Sequence, residues 1–167
     1  LCYAAIAAQK NHYALYLTAP YMDPALTRRV QETFKAAGKK LGVHVKYDTG
    51  MGRLGCADPE EVLDLARAVS ADPNLELVAL WTHFATADEA DSSFLAEQRD
   101  RLAVLGERAR AEFPEVELHA ASSAAMIADP DCHFDMVRPG VAVDGMDPFG
   151  RDPGEHDLHP VLSFRSW

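Results

Sequence analysis

The 167 residues are 48% hydrophobic and 25% charged, the composition of a globular domain with a sizeable core. A net charge of −10 argues against nucleic acid or an anionic membrane as the main partner. No apolar run approaches the roughly 20 residues that span a bilayer, no charged-then-apolar leader opens the chain, and three cysteines without metal-type spacing fit a reduced, cytoplasmic setting.

In chain order, residues 13–18 read as a short apolar strand. Asp23 as N-cap and Pro24 as first helical residue open a helix with Leu26, Val30, Phe34 and Ala37 on one face, and Gly38 ends it. The run 42–47 alternates, placing Val43, Val45 and Tyr47 on one side and His44, Lys46 and Asp48 on the other. A glycine-punctuated loop follows and carries Arg53. Asp58-Pro59 and Glu61, in a capping-box spacing, start a second helix with Val62, Ala66 and Val69 as its buried stripe. Residues 75–82 form the strongest strand. A long helix covers about 93 to 112, with Leu95, Leu102, Leu105, Ala109 and Phe113 on its apolar face. Strands at 116–119 and 134–138 flank a short alanine-rich helix. Residues 147–157, dense in Pro, Gly and acid, read as a linker, and 158–167 begin a new strand-like element. Leu1 is not an initiator methionine and Ser163 to Trp167 break off within an alternating run, so the chain reads as a piece of a longer protein.

Alternation of strand and helix predicts a parallel α/β sheet. Five βα units fall short of a complete (β/α)8 barrel, which needs about 250 residues, so part of a barrel and a small open sheet both satisfy the pattern. The residues suited to chemistry fall where strands give way to loops, the edge at which parallel α/β folds build their sites. A polar stripe of His44, Lys46 and Asp48 in a two-sided sheet is costly unless paired, and an ion pair between Lys46 and Asp48 accounts for it as well as a site does. His83 ends an apolar strand and fits either a site or a satisfied, partly buried histidine. Ser122 and Ser123 offer hydroxyls and free amides to an anion or act as a plain N-cap. Arg138 is a site residue or an ordinary strand-end arginine.

Four segments resemble motifs of the alanine racemases, pyridoxal-phosphate enzymes of the (β/α)8-barrel type. VHVKYDTGMGRLG is similar to V-H-x-K-x-D-T-G-M-G-R-L-G, WTHFATADE to T-H-F-A-x-A-D, HAASSAA to H-x-A-N-S-A-A, and DMVRPGVAVDG to D-x-V-R-P-G-I-A-L-Y-G. The resemblance covers about residues 14–165. It implies a partial TIM barrel over residues 1–157 and the beginning of a C-terminal β-domain at 158–167. It further implies pyridoxal 5'-phosphate as cofactor, interconversion of L- and D-alanine in a longer parent, and a homodimer. Arg138 is implied to donate to the pyridine nitrogen, leaving it unprotonated because arginine keeps its own proton. Ser123, Gly140 and Val141 are implied to hold the phosphate, with Ser122 standing where the family has asparagine. His83 is implied to brace the ring and Arg138, and Arg53 to meet the cofactor's phenolate oxygen and the substrate carboxylate. Lys46, which the family can carry as a carbamate, is implied to orient Arg53. Asp144 stands where the family usually has tyrosine. The family's covalent anchor lysine, in K-A-x-A-Y-G-H-G, and the second base, a tyrosine of the partner's C-terminal domain, have no counterpart here, so the 167 residues alone are expected not to racemise alanine.

Two other readings remain at this level. Gly50, Gly52 and Gly55 satisfy the G-x-G-x-x-G fingerprint of a nucleotide-binding α/β oxidoreductase, although the helix start at Asp58-Pro59 falls after the glycines rather than among them. The alternative without chemistry is a phosphate-binding fragment built on Ser123 and Gly140.

Overall fold

The computed structural model describes residues 6–9, 12–17, 28, 32, 35, 36, 38 and 40–162 apart from Ser92. Its sheet has five strands in sequential order: β1 (Ile6–Gln9), β2 (His12–Leu17), β3 (Leu41–Lys46), β4 (Leu75–Trp81) and β5 (Glu117–His119). β2 to β5 run parallel, as expected for strands joined by helical crossovers. β1 was not anticipated. It is antiparallel to β2, with Gln9 opposite His12, a connection too short for a parallel crossover. Of the expected first helix, residues 28, 32, 35 and 36 are helical, and its proposed apolar face lies outside the described residues.

Helix α1 (Pro59–Ala71) starts where the sequence places it, with the Asp58 carboxylate accepting from the Glu60 N–H at 2.9 Å. Val62, Leu63, Ala66 and Val69 are its buried face. Helix α2 (Ser93–Glu112) buries Leu95, Leu102, Leu105 and Ala109. These helices meet one side of the sheet, so Val43, Val45 and Tyr47 join a single apolar core with them. The alternation of β3 leaves His44 and Lys46 on the other side. Helix α3 (Ser123–Ala128) follows β5. No helix among the described residues is long and apolar enough to cross a membrane.

The expected strand at 134–138 does not form. Phe134 takes a positive φ of 50°, and only one residue, Met136, bridges to His119 of β5. The Asp135 carboxylate accepts from the Leu118 N–H at 2.7 Å, which uses a side chain where a strand would use backbone. The segment 147–157 is an ordered turn rather than a loose linker, with Asp147 Oδ1 accepting from the Phe149 and Arg151 N–H groups and a short 3-10 helix at Pro153–His156. Residues 158–162 are not in a strand, and 163–167 lie outside the described residues.

The loop after β3 folds back on its own strand. The Asp48 N–H donates to Cys56 O at 2.8 Å and the Cys56 N–H to Lys46 O at 3.2 Å. Gly55, at φ 110°, makes the return possible, since a Cβ there would sit 2.9 Å from the Lys46 carbonyl oxygen. Backbone on both sides of that clash has little room to yield. Gly55→Ala is expected to cost about 1–3 kcal/mol in urea unfolding, through strain at a positive φ together with the clash. An unchanged urea midpoint would show that the loop relaxes freely.

Candidate active site

Three neighbouring strands end in a row of paired residues. Lys46 lies beside Trp81 and Trp81 beside His119 in the parallel register. Met136 bridges to the far side of His119, which brings Arg138 to the same rim two residues later. The Trp81 and His119 rings stack at 5.7 Å between centroids, inclined by 20°. The Arg138 guanidinium carbon lies 4.8 Å and the Lys46 Nζ 4.9 Å from the centre of the Trp81 ring. An indole face attracts both cations.

Arg138 is held from several directions. Its Nη2 donates to Thr82 O and Ala120 O, each at 3.0 Å, and lies 3.4 Å from His83 Nδ1. Its Nη1 is 2.6 Å from His119 Nδ1. His44 Nδ1 lies 2.8 Å from His119 Nε2. Burial, then the positive charge of Arg138, draws the pKa of His83 down to about 4 and that of His119 to about 3. His44 is lowered by the same two causes.

Lys46 is only 2% exposed, and its Nζ has no hydrogen-bond partner among the described residues. The ion pair with Asp48 that the sequence allowed does not form. Asp48 Oδ1 instead accepts from the Gly50 and Gly52 N–H groups at 3.1 Å and shapes the glycine loop. Burial first, and then the charge of Arg53, pulls the Lys46 pKa from 10.5 to about 8. Arg53 itself is exposed, close enough to depress both Lys46 and His83.

Ser123 lies further along the rim, at the start of α3. Its Oγ accepts from the Gly140 N–H at 2.8 Å and the Ala142 N–H at 3.2 Å, so the α3 start and the 138–142 turn form one unit. Val141 begins a short 3-10 helix and is 42% exposed. Ser122 is the α3 N-cap residue, but its side chain makes no capping bond. Gly140 faces open space where a Cβ would sit. The rim therefore combines three cations with imidazoles held neutral, an arrangement suited to an anionic ligand. The glycine fingerprint does not open a helix: three residues separate Gly55 from the first residue of α1, and the loop packs back on Lys46. That geometry does not match a dinucleotide-binding turn.

Three contributors were not anticipated from the sequence. His119 and Trp81 were read as ends of strands. Gln98, on the buried face of α2 and 0% exposed, donates to Thr49 Oγ1 at 2.9 Å and to His83 O at 3.3 Å, and its Oε1 accepts from the Ala85 N–H at 2.9 Å. Thr49 and Thr82 hydroxyls are 2.7 Å apart. This buried cluster ties α2 to the loops that carry Arg53 and His83. The available signal was a glutamine three residues after Leu95, on the apolar stripe, where a fully buried amide must be satisfied.

The family described as the N-terminal domain of alanine racemase matches residues 9–148. The alanine racemase of Chlorobaculum tepidum is 44% identical over 142 residues, which is 84% of this chain and 37% of that protein. The alanine racemase of Desulforamulus reducens is 35% identical over 143 residues, 84% of this chain and 39% of that protein. The crystal structure of the alanine racemase from D-cycloserine-producing Streptomyces lavendulae superposes with a TM-score of 0.72 at 32% identity, covering 88% of this chain and 39% of that one. The chain thus spans a little over a third of the length of the relatives it matches.

The Lys46 shift has a consequence for stability. Its folded pKa of about 8 lies below the unfolded 10.5, so between those values the unfolded chain binds more protons and stability rises with pH. Lys46→Met is expected to remove that rise and to stabilise the fold at pH 7 by about 1–3 kcal/mol, since it replaces a buried, unpaired amine. Urea midpoints at pH 7 and 10 in buffer purged of carbon dioxide measure both effects. A variant that keeps the full pH dependence would place the titrating group elsewhere.

Proposed function

The chain belongs to the alanine racemase family, and from that membership we propose that it supplies the cofactor-binding rim of a pyridoxal-phosphate-dependent racemase acting on alanine. The observation that supports this reading most is the arrangement of Arg138, fastened by Thr82 O, Ala120 O and His119, on the same short segment as Gly140, whose N–H meets Ser123. On this reading one stretch of chain would offer a ring-nitrogen donor and a phosphate cradle together.

The donor set fits pyridoxal phosphate. Ser123, Gly140 and Val141 would hold the phosphate, with Ser122 beside them. The open space at Gly140 allows close backbone approach. When bound, the cofactor supplies an electron sink that acidifies the α-proton of an amino acid. Arg138, a guanidinium that stays protonated, would donate to the ring nitrogen without giving up its proton. His83 would brace the ring, its low pKa keeping it neutral next to Arg138. Arg53 would reach the substrate carboxylate and the ring's phenolic oxygen, where a planar fork suits oxygen pairs. Lys46 would act from behind Arg53. The substrate expected is a small amino acid, alanine, and the active protein a cytoplasmic homodimer.

Calorimetric titration with pyridoxal phosphate tests the assignment. We expect binding that weakens about 10-fold or more in Arg138→Ala and in Ser123→Ala, each losing charge-assisted bonds worth roughly 1.5–3 kcal/mol. Inorganic phosphate should compete in the native chain and lose that effect in Ser123→Ala. NAD binding in place of pyridoxal phosphate would sink the reading.

Racemisation needs a positioned base on each face of the α-carbon, each worth about 10²–10⁴-fold. We propose that neither base is among these 167 residues. D-alanine formation from L-alanine, with the purified chain and added pyridoxal phosphate, is expected to match free cofactor. Turnover above that blank would point to Lys46 as a base rather than a supporting group.

A further inference from the structure

His119 is 0% exposed and stands between Arg138 and His44, with a hydrogen-bond contact on each ring nitrogen. The roles in this chain of contacts are forced. A guanidinium offers only N–H groups, so His119 Nδ1, 2.6 Å from Arg138 Nη1, must accept. The ring proton of neutral His119 then sits on Nε2, which is 2.8 Å from His44 Nδ1. That nitrogen must accept in turn, which leaves the His44 proton on its Nε2. A second proton on either ring would break one of the two bonds. The stacked Trp81 indole covers the His119 ring, so the ring has little freedom to turn away.

We propose that His44 is a positioning residue, the far end of a directional relay from Arg138 through His119 to His44 that locks both imidazoles as neutral Nε2–H tautomers and sets the angle at which the guanidinium faces its ligand. The ligand half of this statement rests on the pyridoxal-phosphate reading of Arg138, while the tautomer half does not. The low pKa of His119, caused chiefly by burial and then by Arg138, agrees with a ring that stays neutral. No role on the reacting atoms is assigned to His44. It acts two groups away, by accepting the Nε2–H of a ring whose Nδ1 is already committed to Arg138.

The test is a two-bond ¹H–¹⁵N correlation spectrum of histidine-labelled chain at pH 7, where seven histidines are few enough to assign with His44→Gln and His119→Gln. Both His44 and His119 should show an unprotonated Nδ1 and a protonated Nε2. His44→Leu removes the acceptor of the Nε2–H and should move the His119 Nε2 and its proton resonance, while Arg138 keeps Nδ1 unprotonated. His44→Gln offers a carbonyl oxygen in its place and should restore the native His119 signals. Pyridoxal phosphate should bind about 3- to 10-fold more weakly to His44→Leu, the span expected for one lost hydrogen bond, and recover in His44→Gln. A Nδ1–H or doubly protonated His119 in the native chain would overturn the relay, as would a His44→Leu spectrum with His119 unchanged. The stated tautomers without any pyridoxal phosphate binding would support the relay and overturn the cofactor reading of Arg138.

Discussion

A half-buried guanidinium needs acceptors for the N–H groups it turns away from water, and the ends of β4 and β5 are arranged around that demand. Thr82 and Ala120, each one residue past its strand, turn carbonyls toward Arg138, and His119 turns a lone pair to it. Those acceptors exist only if β4 and β5 stay in register and Met136 stays beside His119. Sheet pairing and site geometry are therefore one constraint. Removal of an acceptor would leave an N–H of this half-buried charge unmet, which costs more than the bond itself contributes.

The other cations of the rim follow from the same setting. Lys46, beside Trp81 in the register, has an indole face and no hydrogen-bond acceptor among the described residues, so burial is expressed in its lowered pKa. Arg53 remains exposed on the glycine loop, whose shape comes from the Asp48 carboxylate and the fold-back at Gly55. A chain with a net charge of −10 thus gathers Lys46, Arg53 and Arg138 at one edge of its sheet. The imidazoles among them stay neutral and add no further positive charge, which keeps the repulsion bearable and the rim attractive to an anion.

Support for the site also comes from outside the rim. Gln98 reaches from α2 to Thr49, His83 and Ala85, and Arg101 of the same helix donates to Thr49 O. A helix that covers the apolar sheet also holds the loops carrying Arg53 and His83 in place.

Much was legible in the sequence because local chemistry suffices for it. The Asp58-Pro59 signal starts α1, the period of Leu95, Leu102, Leu105 and Ala109 marks α2, and alternation in β3 separates Val43 and Val45 from His44 and Lys46. The four motifs, three of them at strand ends, were enough to point to the family before any distance was known. Tertiary structure decided the rest. FDMVR has a strand's composition, yet Phe134 at positive φ and the Asp135 carboxylate leave one bridge there. The Lys46–Asp48 pair looked natural from adjacency on one face, but backbone N–H groups four residues away or fewer claimed the carboxylate first. His119 and Trp81 carry no local signal of their roles, and Gln98 only its place on an apolar stripe, because those roles are contacts with residues 13 to 75 positions distant. Periodicity reports which way a side chain points; only the folded chain determines what it meets there.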